Sequence, residues 1–226
     1  MEERIQDFTQ WLRLKEANWN SLYDKKYLVS IKAGEIIYNQ GEQINHIYII
    51  KSGRLGLTML SEKGKGKTLL ICEQGSLFGD CVLTKSRISL ETASAAIASE
   101  IYKYPIVEFE ELIKIDTIAA QQLIRFLATK ASILQSQIED ICFMDAKDRI
   151  CRQLLKFAFT HGEFDGNKCS FNLKFTHQQM AEVAGISRVM VSNVFSELYK
   201  SKVIRKKDGF IIINDIGKLR SEIESV

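Results

Sequence analysis

Eight of the thirteen glycines fall between Gly34 and Gly79, and none follows until Gly162. A chain punctuated so densely, then left without glycine, must change architecture partway. Across residues 27–104 the sequence reads as short β-rich runs: YLVSI, EIIYN, HIYIIKSG, RLGLTML, KTLLICE, CVL, LETASAA and ASEIYKY. The turn signals AGE, NQGEQ, KSGR, EKGKGK and EQGS separate them. Glycine supplies the positive φ of tight turns without steric cost, and polar neighbours keep the tips wet. Many short strands at even spacing imply an all-β sandwich or barrel.

Past this region the period changes. The single proline, Pro105, follows the last strand, where its missing N–H suits a helix start before IVEFEELI. From Asp116 the chain reads DTIAAQQLIRFLATKASILQSQIEDICFM. Thr117, Ala120, Ile124, Leu127, Ala131, Leu134, Ile138 and Ile141 alternate steps of three and four, a seam of roughly 3.5-residue period. A helix of about 27 residues runs about 40 Å, more than a domain of this size needs for its own cover. A second copy of the chain is therefore the expected partner, through Ile124, Leu127, Ala131, Leu134, Ile138 and Ile141. The alternative is one amphipathic helix covering its own β domain. Asp145 is an N-cap signal before AKDRICRQLLKFAF, so a hinge with almost no linker is expected between Met144 and Asp145.

The sharpest motif is THQQMAEVAGISRVMVSNVFSELYK, residues 176–200. Thr176 caps a first helix, Gly185 makes the turn, and Ser187 caps a second. Ala181 is small where the helices would cross. Ile186, Val191 and Val194 are apolar where the second helix must pack inward. This is a helix-turn-helix pattern. VIRKKDGFIIIN follows as two apolar strands around a Lys-Asp-Gly turn, a β-hairpin wing. A major groove admits one α-helix, whose N-terminal residues meet base edges. Ser187, Arg188, Val189, Ser192 and Asn193 lie near that tip, with Thr176 at the start of the first helix. Lys200, Lys202, Arg205, Lys206 and Lys207 supply phosphate attraction. Charge agrees: residues 146–226 hold 14 Lys/Arg against 9 Asp/Glu, net +5, while residues 1–145 hold 17 against 19, net −2. Double-stranded DNA is the expected partner of the basic part.

Other classes fit less well. The apolar runs are shorter than the ~20 residues a membrane span needs, and MEERIQDFTQWLRLKEANW lacks the apolar core of a signal peptide, so no membrane partner and a cytoplasmic location are expected. The five cysteines form no C-x-x-C pair and the three histidines are far apart, so neither a disulfide framework nor a metal site is indicated. A metal-dependent cupin enzyme would need clustered histidines, whereas INHIYIIKSG offers only His46. No catalytic residues and no cofactor are expected.

The order of these parts resembles the Crp/Fnr superfamily of bacterial transcription regulators. IKAGEIIYNQGEQINHIYIIKSGRLGL, FGDCVL, FMDAKDRICRQLL and the helix-turn-helix carry the likeness over residues 20–220. It implies an α+β chain: a double-stranded β-roll (jelly-roll or cupin-like) effector domain over 1–115, a dimerisation helix and hinge over 116–144, and a winged helix-turn-helix over 145–226. It also implies a homodimer on an inverted-repeat site, and RNA polymerase as a further partner.

The same resemblance makes the effector cassette informative. In members that bind cyclic AMP, G-E is followed about ten residues later by R-S, whose Arg pairs the cyclic phosphate. Here Gly79 and Asp80 match G-E, but Leu90 and Glu91 stand at R-S. A carboxylate facing a phosphate repels it, and losing a charge-assisted pair costs roughly 3–5 kcal/mol where buried. Leu134 and Gln135 stand where a Thr-Ser pair would meet adenine. Arg87 is an alternative cation, and Cys81 beside Asp80 is a candidate thiol sensor or a small buried filler. The expected function is a DNA-binding regulator whose effector domain is not specific for cyclic AMP, with an unknown small molecule or no effector. The alternatives are a cyclic-nucleotide-responsive regulator, or a regulatory binding module without DNA function. On the recognition helix, many relatives carry R-E-x-x-[GS]-R, where this chain reads Arg188, Val189, Met190, Val191, Ser192, Asn193. Valine touches a thymine methyl where glutamate would accept from cytosine.

Overall fold

The computed structural model describes residues 9–12, 19–171 and 175–223. The described residues divide into two compact units, one within Gln10–Ser132 and one that begins at Ile133.

The first unit is a two-sheet β-roll. Its strands are β1 (Trp11–Leu12), β2 (Leu28–Ile31), β3 (Ile36–Tyr38), β4 (His46–Ser52), β5 (Leu55–Leu60), β6 (Gly66–Cys72), β7 (Leu77–Phe78), β8 (Thr92–Ala95) and β9 (Ser99–Pro105). One sheet runs β1-β6-β5-β8-β3 and the other β2-β9-β4-β7. Alternation puts every second side chain of β5, β6 and β8 inside, whereas β4 buries Ile47, Tyr48, Ile49 and Ile50 in a row. Leu55 and Leu57 of β5, Leu70 and Cys72 of β6, and Ala93 and Ala95 of β8 are buried from one sheet. Ile47, Ile49, Ile101 and Phe78 are buried from the other.

The run Cys81–Leu83 is not a strand. Asp80–Leu83 is a 3-10 turn, entered from Gly79 at φ 78°. Val82 N–H donates to the Gly79 carbonyl and Thr84 N–H to the Cys81 carbonyl, so the chain curls before it can pair. The strand of this stretch is β7, just ahead of the curl.

Two helices complete this part of the chain: α1 (Ile106–Ile115) and α2 (Thr117–Phe143). Asp116 caps α2 by accepting from Ile118 N and Ala119 N at 2.9 and 3.0 Å. The boundary between the compact units falls inside α2, between Ser132 and Ile133. Ala119 and Phe126 are buried, whereas Ile124, Leu127, Ile138 and Ile141 of the apolar seam are exposed.

In the second unit α3 (Ala146–His161) follows α2 after only Met144 and Asp145. Asp145 caps α3, accepting from Asp148 N. The end of α2 and the middle of α3 share a buried charge cluster. Lys156, 1% exposed along its side chain, donates to Asp140 Oδ2 at 3.1 Å. Arg152 Nη1 stands 2.8 Å from Asp140 Oδ1, an ion-pair contact without hydrogen-bond alignment.

The hairpin β10 (Gly162–Asp165) and β11 (Lys168–Phe171) comes next, then α4 (His177–Ala184), α5 (Arg188–Lys200), β12 (Ile204–Lys207), β13 (Phe210–Ile213) and α6 (Ile216–Ser221). The sheet order is β10-β11-β13-β12. The first hairpin, absent from the sequence expectations, therefore widens the wing into a four-stranded sheet.

Candidate nucleic-acid interface and effector cassette

The helix-turn-helix is built from local chemistry. Thr176 and Gln179 form a reciprocal capping box at the start of α4. Gly185 ends that helix in the left-handed region at φ 68°, where a Cβ is disfavoured. Ser187 caps α5 by accepting from Met190 N at 3.2 Å. Val191, Val194, Phe195 and Leu198 are buried, which fixes the rotation of α5. That rotation leaves Ser187, Arg188, Val189 and Asn193 exposed together at its tip, with Val189 70% exposed. A bare valine so exposed is available to a partner surface. Ser192 is half-buried, its hydroxyl 3.1 Å from the Arg188 carbonyl and 2.9 Å from His177 Nδ1.

The wing is a two-residue turn, Asp208 at φ 52° and Gly209 at φ 84°. Positive φ at both central positions is the hairpin turn that matches strand twist. Lys200, Lys202, Arg205, Lys206 and Lys207 are all exposed. Between α4, α5 and the wing lies an open groove of about 610 Å³, lined among others by Thr176, His177, Arg188, Tyr199 and Lys206. The structure thus gathers Thr176, Arg188 and Lys206 around one groove. It adds His177, which sequence reasoning passed over; its place directly after the Thr176 cap was the available signal.

The β-roll cassette assembles differently from its sequence analogy. Gly79 is required twice, by its φ of 78° and because a Cβ would come 2.9 Å from the Tyr48 ring. Asp80 forms an ion pair at 2.6 Å with Lys130 of α2, both side chains mostly buried. Glu91 is also buried, and Tyr38 Oη donates to its Oε1 at 3.4 Å. Burial pushes the Glu91 carboxyl above its ordinary range, with Lys130 pulling down and Asp80 pushing up. Burial draws the Lys130 ammonium down, but Asp80 and Glu91 outweigh it and leave it raised. Two carboxylates and one ammonium therefore share this cassette. Lys130 and Tyr38 were not anticipated, because neither is near the loop in sequence.

The other cassette candidates scatter. Leu90 is 71% exposed. Arg87 sits at φ 54°, partly exposed. Cys81 is half-buried, and burial with the nearby Glu91 and Asp80 pushes its thiol up to about 11, which disfavours a reactive thiolate. Leu134 and Gln135 lie on α2 beyond Ser132, in the second compact unit. Among the described residues, no group of three or more His, Cys, Asp or Glu is placed to hold a metal ion. Nor is any helix there long and apolar enough to cross a membrane.

A β-roll followed in sequence by a long helix and a winged helix-turn-helix defines an effector-domain DNA-binding regulator. Residues 28–116 match the cyclic nucleotide-binding domain family, and residues 148–222 match the Crp-like helix-turn-helix domain family. The chain belongs to the Crp/Fnr family of transcription regulators, and it is a regulator rather than an enzyme. It is similar to the CRP-like cAMP-activated global transcriptional regulator of Mycobacterium tuberculosis, 23% identical over 198 residues, covering 84% of this chain and 85% of the relative. Among solved structures it resembles a CRP/FNR-family transcriptional regulator from Thermus thermophilus, with TM-score 0.67, 27% identity, and 88% and 98% of the two chains covered. A CooA mutant from Carboxydothermus hydrogenoformans matches with TM-score 0.77 and 20% identity over 92% and 97% of the chains.

Proposed function

We propose that this regulator works as a cytoplasmic homodimer that reads an inverted repeat in double-stranded DNA, and that its effector domain does not take cyclic AMP. The observation that carries the DNA reading is the exposed tip of α5 beside a wing whose exposed Arg205, Lys206 and Lys207 outnumber its one carboxylate, Asp208. Arg188 is suited to guanine or phosphate, Asn193 to adenine or phosphate, and Val189 to a thymine methyl. Half-sites should accordingly favour A·T at the position facing Val189. Lys200, Lys206 and Lys207 contact phosphates and set affinity more than sequence preference. The exposed seam of α2 supports pairing with a second copy, which would hold two recognition helices about one DNA turn apart. RNA polymerase is the downstream partner of such a regulator.

Buried Glu91 supports the effector part of the reading. It presents negative charge in the cassette where a phosphate would have to sit, and Lys130, the nearby cation, is already paired with Asp80. The effector is another small molecule, or none. Selection of sites from random duplex DNA by the purified protein, with no effector added, tests the DNA reading. Enrichment of an A·T-rich inverted repeat is expected; a strong G·C preference opposite Val189 would refute the readout assigned to that residue. Titration with cyclic AMP in a calorimeter tests the second part, and binding at micromolar concentration would overturn it.

A further inference from the structure

The groove between α4, α5 and the wing contains a histidine that base readout does not use. Among the described groove-lining residues, Arg188, Lys206 and His177 carry or can carry positive charge, and no Asp or Glu is among them. The one carboxylate on α4, Glu182, accepts from Gln178 at 2.9 Å and is not part of the lining. From α5 the groups facing His177 are Arg188, the Ser192 hydroxyl, the Phe195 ring at 5.2 Å and the un-ionised Tyr199; from β12 it is Lys206. Its Nδ1 is tied to Ser192, whose hydroxyl also bonds the Arg188 carbonyl. When that hydroxyl hydrogen goes to the carbonyl, Nδ1 must carry a hydrogen for Ser192. The neutral ring then has only a lone pair at Nε2, which a phosphate oxygen would repel.

We infer that this groove seats one DNA backbone phosphate between His177, Arg188 and Lys206, and that His177 takes up a proton as the phosphate enters. The inference rests on the DNA-binding reading and adds a proton to it. In the free protein, burial and the charges of Lys206 and Arg188 hold His177 below its ordinary value, so it is neutral at pH 7. An arriving phosphate reverses the local field and favours the imidazolium. The bound state then binds one more proton per groove than the free state. By linkage, affinity rises as pH falls through the window between the two values, and each groove contributes up to about tenfold per pH unit.

The test is the affinity of the full-length protein for duplex DNA carrying its selected site, from pH 5.5 to 8.0 at fixed ionic strength. Wild type should tighten on acidification, and calorimetry in two buffers of different ionisation enthalpy should register proton uptake. His177→Gln should bind weakly with a flat profile, and His177→Arg tightly with a flat profile. His46→Gln and His161→Gln, which replace the other two histidines, should keep the wild-type slope. A flat wild-type profile without proton uptake overturns the inference and leaves the DNA reading intact. An undiminished slope in His177→Gln also overturns it. No DNA binding by wild type at any pH overturns both.

Discussion

Glu91 is the residue that most changes what the β-roll can bind. Its native carboxyl is raised above the ordinary 4.5 chiefly by burial. The sign follows from linkage. A group that holds its proton more tightly when folded favours the fold at low pH, and that contribution is lost as pH rises through the native value. At neutral pH the native state therefore bears the cost of a buried charge. Glu91→Gln should raise the thermal midpoint at pH 7, and the gain should shrink toward zero as pH falls below 4.5. Differential scanning calorimetry across pH checks this; an equal gain at every pH would mean that ionisation is not the cause. Gly185 was legible as a turn glycine because φ is a local property. Lys130 beside Asp80 was not, since fifty residues separate them.

Among elements, the join of α2 and α3 carries a buried charge cluster. Asp140 neutralises a lysine that has almost no access to water. Burial lowers the Lys156 ammonium and Asp140 opposes that, so removing Asp140 strands a charge. Asp140→Ala should cost about 3–5 kcal/mol, whereas Asp140→Leu with Lys156→Met should recover part of it, because the apolar pair removes the Lys156 charge but leaves Arg152 only the more distant Glu139. Urea unfolding midpoints of the two variants separate these outcomes. The helices themselves were readable from apolar period and caps: Asp145, Thr176 and Ser187 each bond within three residues of themselves. CVL was misread because a short apolar run looks like a strand until Gly79 curls it. The β10–β11 hairpin was missed because GEFDGNKCSF has little apolar alternation, and β11 gains its place by pairing with β13, some forty residues later.

For the whole molecule, the question is what covers the seam of α2. Ile138 and Ile141 are 60% and 51% exposed on the single chain, so substitution there leaves the intramolecular core intact. Ile138→Asp should convert a dimer to monomer in sedimentation with little change in the melting of either unit. Affinity for an inverted repeat should then fall by roughly 10²–10⁴-fold, because the second half-site loses its effective concentration. A monomeric wild type, or a dimeric variant with unchanged affinity, would overturn the seam as the interface.

Period, turn glycines and caps depend on neighbours within a turn or two, and those interactions are written in consecutive residues. They were enough for an all-β domain, a long helix, the helix-turn-helix and the basic wing, and the order of these parts carried the resemblance that implied a β-roll. Charge compensation is different, because it depends on which groups the folded chain brings within a few ångströms. Only the tertiary structure pairs Lys130 with Asp80 within reach of the Glu91 charge, buries Lys156 against Asp140, and turns His177 toward Ser192 in a basic groove. Coulomb energy falls with distance in space, not with separation along the chain, so no local pattern could have announced the two buried charge clusters.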